Sequence, residues 1–193
     1  MVSDSTGFQG DGRRRKRPPK PLDETRLKDL ALHYVARYAT SSAKLERYLA
    51  RKLRERGWEG EREANVPALV RQHVEAGHID DDAYARMRST GLTARGYGAR
   101  RVAQVLHADG LAEDVRQNNA PGEREQRHAA LRYARRRRFG PFAVKAVERD
   151  LREKHLAAMV RAGHSFDHAR IALDARSEAE LEEWAEEEFE CGE

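Results

Sequence analysis

An all-α fold is predicted by three features of the sequence. Apolar residues recur with the 3.6-residue period of a helix along most of the chain, and no segment shows the two-residue alternation of a strand. Gly, Ser and Asp fall where such helices would start and stop. A Tyr and an Arg return together at Tyr34-Val35-Ala36-Arg37, Tyr84-Ala85-Arg86 and Tyr133-Ala134-Arg135, roughly 50 residues apart, and a Gly closes each unit at Gly57, Gly110 and Gly163. Helical units of this length bury too little apolar surface alone, so they stack on their neighbours. The expected architecture is three tandem three-helix repeats in an elongated, curved body with disordered tails.

Residues 1–22 are expected to be a disordered basic arm, because the block Arg13-Arg14-Arg15-Lys16-Arg17 beside prolines has nothing to bury. Repeat 1 spans 23–77. Its first helix carries Leu27, Leu30, Ala31, Tyr34, Val35 and Tyr38 on one stripe. Thr40, Ser41 and Ser42 offer caps for a second helix, with Leu45, Tyr48, Leu49 and Leu53 inward and Gly57 as its stop. A third carries Val66, Leu69, Val70 and Val74 to Gly77, and Pro67 fits only within its first turn.

Repeat 2 spans 78–120. Asp80 can cap its first helix, Asp81 and Asp82 sit where the helix dipole favours negative charge, and Ile79 and Tyr84 occupy the hydrophobic-staple positions. This helix should run to Ala94 and break at Gly96-Tyr97-Gly98. Val102, Val105 and Leu106 form the next stripe, closed by Gly110, and a short helix follows from Ala112 to Gln117. Repeat 3 spans 121–175. A Pro121-Gly122 linker leads to a helix from Glu123 to Arg138, ended by Phe139-Gly140-Pro141. Val144, Val147, Leu151, Ala158 and Met159 mark a long helix reaching Gly163, and Ser165 can cap a last short one containing Ile171. Residues 176–193 form an acidic tail.

Composition narrows the function classes. Hydrophobic residues make up 39% and charged residues 36% of the 193, against about 45–50% and about 25% in ordinary globular chains. One thick core is therefore out of reach, and a thin body with much solvated surface is expected. No apolar run is long enough to span a bilayer and no apolar leader follows Met1, so a cytoplasmic location without membrane contact is expected. The lone cysteine, Cys191, excludes a disulfide within the chain. The net charge of +4 hides an asymmetry: residues 177–193 hold nine of the 33 acidic side chains and none of the 37 Lys and Arg. A basic body with an acidic end suits a protein that meets nucleic acid or a nucleoprotein.

Catalytic and metal motifs do not emerge. Capping accounts for the Asp80-Asp81-Asp82 run, whose side chains diverge around a helix axis. The eight His lack zinc-pair spacing, Gly96-Tyr97-Gly98 lacks the third Gly and the Lys-Ser/Thr of a phosphate loop, and no Ser, Cys or Lys sits in a nucleophile motif. No catalytic residue, metal or cofactor is expected. The informative residues are arginines. Arg86, Arg88, Arg95, Arg100 and Arg101 flank the central Gly-Tyr-Gly break, with Tyr97 between them, and Arg135, Arg136, Arg137 and Arg138 circle a helix end. Guanidinium groups grip phosphate or carboxylate in bidentate fashion, and Tyr97 can stack or pack at an interface. These ten residues are the candidate partner-binding and DNA-binding set, with DNA contacts electrostatic rather than base-specific.

Three stretches in order resemble the RecX family. Gly77-His78-Ile79-Asp80-Asp81-Asp82-Ala83-Tyr84-Ala85 looks like its double-Asp signature, Arg95-Gly96-Tyr97-Gly98-Ala99-Arg100-Arg101-Val102 with Leu106 and Gly110-Leu111 resembles the segment that follows, and Arg161-Ala162-Gly163-His164-Ser165-Phe166 resembles the end of the third repeat. The resemblance spans residues 24–175. His78 and His164 depart from it, standing where an aromatic or Phe is usual, and the two charged ends lie outside it. It implies a non-enzymatic regulator that binds the RecA filament on single-stranded DNA. It also implies that the regulator modulates, usually by inhibition, strand exchange, ATP hydrolysis and the activity that promotes repressor cleavage. A monomer is expected. The contrasting expectation from the residues is a helical protein that binds DNA directly, through helix-turn-helix spacing in the middle repeat, with no filament partner.

Overall fold

The computed structural model describes residues 20–145 and 147–187. Among these residues the chain forms ten α-helices, one 3-10 turn and no strand beyond an isolated bridge between Leu22 and Trp58. The Arg13–Arg17 block of the basic arm and residues 188–193, with Cys191, lie outside the described residues.

The helices gather in three groups, each around its own apolar cluster. In the first, α1 (Glu24–Arg37), α2 (Ser42–Arg56) and α3 (Val66–Glu75) enclose Leu22, Leu27, Leu45, Leu49 and Leu69. In the second, α4 (Asp81–Ala94), α5 (Ala99–Ala108) and α6 (Glu113–Asn118) enclose Tyr84, Leu92, Val102, Leu106 and Leu111. The third has α7 (Glu123–Arg137), a 3-10 turn (Gly140–Phe142), α8 (Arg149–Arg161), α9 (Phe166–Asp174) and α10 (Glu178–Glu186) around Tyr133, Phe139, Met159, Leu173 and Leu181. Several small clusters in place of one core are what a chain so rich in charge can build.

The helix starts follow the sequence closely. Asp23, Ser41, Asn65, Asp80, Ser165 and Ser177 each accept a backbone N–H two or three residues into the helix they cap, a contact worth about 1 kcal/mol. The three consecutive aspartates part ways. Asp80 caps α4, Asp81 accepts the Ser42 N–H at 2.9 Å, and Asp82 accepts the Asn119 side chain at 3.0 Å. Ile79 joins the first cluster and Tyr84 the second, so the pair lies across the boundary between two groups.

Two elements differ from expectation. The long helix expected from Val144 begins only at Arg149. Val144 is 81% exposed, so its apolar spacing serves no core face, and β-branched residues gain little from a helix without one. The Phe139 ring, stacked on His155 at 3.8 Å, anchors the chain before this segment. The acidic segment is not a tail throughout: Leu181, Trp184 and Ala185 form one helical stripe, and α10 packs against α7 with Leu181 and Ala185 fully buried.

The groups meet at two unlike joints. Between the first and second, the N-terminus of α2 meets the end of α5 through polar contacts. Ser41 Oγ donates to the Asp109 carbonyl at 2.8 Å, and Arg47 donates to the Ala108 carbonyl at 2.9 Å. The Asp109 carboxylate accepts from Lys44 at 3.3 Å, from the Tyr84 hydroxyl at 2.8 Å and from Arg88 at 3.1 Å. Burial alone would raise the Asp109 carboxyl, but the Tyr84 hydroxyl and the Lys44 and Arg88 charges outweigh it and hold it below the ordinary carboxylate range. Between the second and third groups, α4 packs on α7 and backbone meets backbone: Gly98 N–H donates to the Ala162 carbonyl and Arg100 N–H to the Gly163 carbonyl, both at 3.1 Å.

Candidate functional site

The second joint builds a cleft. The break after α4 is pinned from both sides: Tyr97 N–H donates to the Leu92 carbonyl at 3.1 Å, and the buried His164 ring donates from Nε2 to the Gly96 carbonyl at 3.1 Å. Only glycine fits here. Gly96 has φ +80 and a Cβ on it would lie 3.0 Å from the Tyr133 nitrogen, while a Cβ on Gly98 would lie 2.3 Å from the Gly163 backbone. This close approach sets Tyr97 against α7 and α8, where it touches both the second and the third cluster.

Tyr97, Arg101, Tyr133, Arg136, Arg137 and Arg161 line a shallow cleft of about 480 Å³, closed by Ala158 and Ala162. Four guanidinium groups face it and no carboxylate lines it. Arg136 donates to the Arg95 carbonyl at the end of α4 and lies over the Tyr133 ring at 5.4 Å and the Tyr97 ring at 6.0 Å. Arg137 lies over Phe139 at 5.7 Å, and Arg101 makes a long 3.4 Å contact to Gln104. Such a surface offers bidentate donors beside an aromatic face, which suits phosphates or carboxylates.

The ten residues expected from sequence do not form one site. Tyr97, Arg101, Arg136 and Arg137 converge on the cleft. Arg95 is exposed at the end of α4, its Nε donating to the Gly91 carbonyl at 2.9 Å, and Arg100 is exposed at the start of α5. Arg86 is exposed on α4. Arg88 is committed to Asp109 at the first joint. Arg135 is ion-paired with Glu178 and Glu182 of α10. Arg138 ends α7 in the left-handed region at φ 57. Arg161 was missed by counting arginine clusters, although it directly precedes the Ala162-Gly163 pair that forms the joint. Asp109 was also missed: only the fold brings Lys44, Tyr84 and Arg88 to it.

Comparison with known proteins follows the same lines. The chain is 36% identical over 166 residues to the regulatory protein RecX of Myxococcus xanthus, covering 81% of this chain and 89% of that one. It is 28% identical to the regulatory protein RecX of Halorhodospira halophila, covering 79% of this chain and 89% of that one. A crystal structure of RecX from Lactobacillus salivarius shares the fold, with a TM-score of 0.63 at 14% identity over 79% of this chain and 95% of that chain. No family model matches the chain.

Proposed function

The chain belongs to the RecX family of regulatory proteins, and from that premise we propose that it binds the RecA filament on single-stranded DNA and lowers its recombinase, ATPase and coprotease activities without catalysing a reaction itself. The observation that carries this reading is the acid-free cleft of Tyr97, Arg101, Arg136, Arg137 and Arg161 at the joint of the second and third helix groups. Guanidinium groups that face solvent beside the half-buried Tyr97 ring can grip carboxylates of a protein surface or phosphates of a strand. A body of three helix groups can set several such contacts along a helical lattice, and linked weak contacts raise avidity steeply. We read the three groups as diverged copies of one repeat, and the protein as a cytoplasmic monomer.

The test is RecA ATP hydrolysis on single-stranded DNA with this protein at substoichiometric amounts. The expected result is reduced turnover with filament loss by sedimentation, and a large part of that effect removed by Arg101→Gln with Arg161→Gln. Unchanged turnover and no co-sedimentation with the cognate RecA would overturn the reading and leave direct DNA binding in its place.

A further inference from the structure

A second aromatic and cationic surface lies far along the chain from that cleft, on the hairpin of α1 and α2. Tyr34, Tyr38 and Arg37 on α1 and its end, and Tyr48, Arg51 and Lys52 on α2, line a groove of about 720 Å³. Tyr34 and Tyr38 continue the stripe of Leu27 and Ala31 to the end of α1, and Tyr34 and Tyr48 pack at the edge of the cluster that holds Leu45 and Leu49. The Tyr34 and Tyr48 rings stack at 4.2 Å with 22° between their planes, which ties the two helices together. Tyr38 is different. It stands beyond the last turn of α1, 51% exposed, tilted at 5.3 Å from Tyr34, with the Arg37 guanidinium 5.7 Å from its ring. Arg51 and Lys52 lie 5.6 and 5.9 Å from the Tyr48 ring. Of the acidic groups at this surface, Asp29 lines it, Glu55 pairs with Lys52 at 2.6 Å and Arg51 at 3.5 Å, and Asp23 and Glu59 pair with Arg26 at the start of α1, the end away from Tyr38.

From this arrangement we infer that the α1–α2 groove is a binding site for single-stranded nucleic acid, with a base stacked on Tyr38 and the adjoining phosphates on Arg37 and Arg51. An acidic peptide would need the cations but not a row of three rings with an exposed one at its open end. A base needs a flat aromatic face, and only an unpaired strand can present its own face to meet it. The cations beside the rings supply the phosphate contacts that make such binding sequence-tolerant and salt-sensitive.

The site is independent of any filament partner, so RecA is left out of its test. Fluorescence anisotropy of the full chain is measured with a labelled oligothymidine and with an abasic oligomer of equal length. Wild type should prefer oligothymidine. Tyr38→Ala should weaken oligothymidine binding by about fivefold or more while leaving abasic binding unchanged, and Tyr38→Phe should restore the preference. Because Tyr38 is half-exposed, its loss leaves the core intact, and circular dichroism with an unchanged melting temperature verifies this. Equal affinity of Tyr38→Ala and wild type for oligothymidine overturns the proposal. An equal loss on the abasic oligomer also overturns it, as does polyglutamate displacing the labelled strand as well as unlabelled oligothymidine does.

Discussion

His164 is 1% exposed, and it holds the break after α4 by one ring nitrogen while the other finds no partner. Burial pushes its pKa down to about 4, although the Gly96 carbonyl works in the other direction. The unfolded chain, with an ordinary histidine near 6.5, therefore takes up this proton first as the pH falls. Stability from this residue is full above about pH 6.5 and drains away between about 6.5 and 4, by about 3 kcal/mol in all. His73 and His155, both lowered by burial, act with the same sign. Melting temperatures measured across that window should fall steeply in the wild type and less steeply in His164→Phe. Equal slopes would show that the ring is not neutral in the folded state.

At the scale of elements, the second joint depends on two glycines in contact. A methyl group on Gly98 would collide with the Gly163 backbone, which has no room to yield, so Gly98→Ala should cost about 1–3 kcal/mol and open the amides of Gly98 and Arg100 to hydrogen exchange. Gly91→Ala in α4 is the contrast, since a Cβ there meets nothing within 4 Å; it should stabilise by about 0.5–1 kcal/mol. Chemical denaturation of the two variants reads both signs. Most elements were legible in the sequence because capping and periodicity are local. Ser41, Asp80 and Ser165 cap as their spacing predicts, and Gly96-Tyr97-Gly98 breaks the chain where expected. Val144 and Val147 misled because the helical period says nothing about whether a core lies opposite. The stripe of Leu181, Trp184 and Ala185 was hidden by the glutamates between them. The site was half legible: a run of arginines shows charge, but whether each finds a carboxylate across the fold is a long-range matter, as Arg88 and Arg135 show.

For the whole molecule, α10 matters through its charge. It lays Glu178 and Glu182 on Arg135, and Glu186 on Arg124 and His128, so an acidic helix covers part of the basic face of α7. Glu178→Gln with Glu182→Gln keeps the apolar contacts of Leu181 and Ala185 and releases Arg135. Non-specific DNA affinity should rise, and the plot of log affinity against log salt should steepen by about one; a parallel line would mean that Arg135 stays out of reach of phosphate. Salt also acts at the first joint, where the ion pair of Lys44 and Asp109 stands beside the Ser41, Ser42 and Arg47 hydrogen bonds, while Tyr97 and backbone contacts tie the second group to the third. The two joints therefore differ in kind, and raising the ionic strength should weaken the first more than the second. The firmness of that one joint is then open to the medium around it.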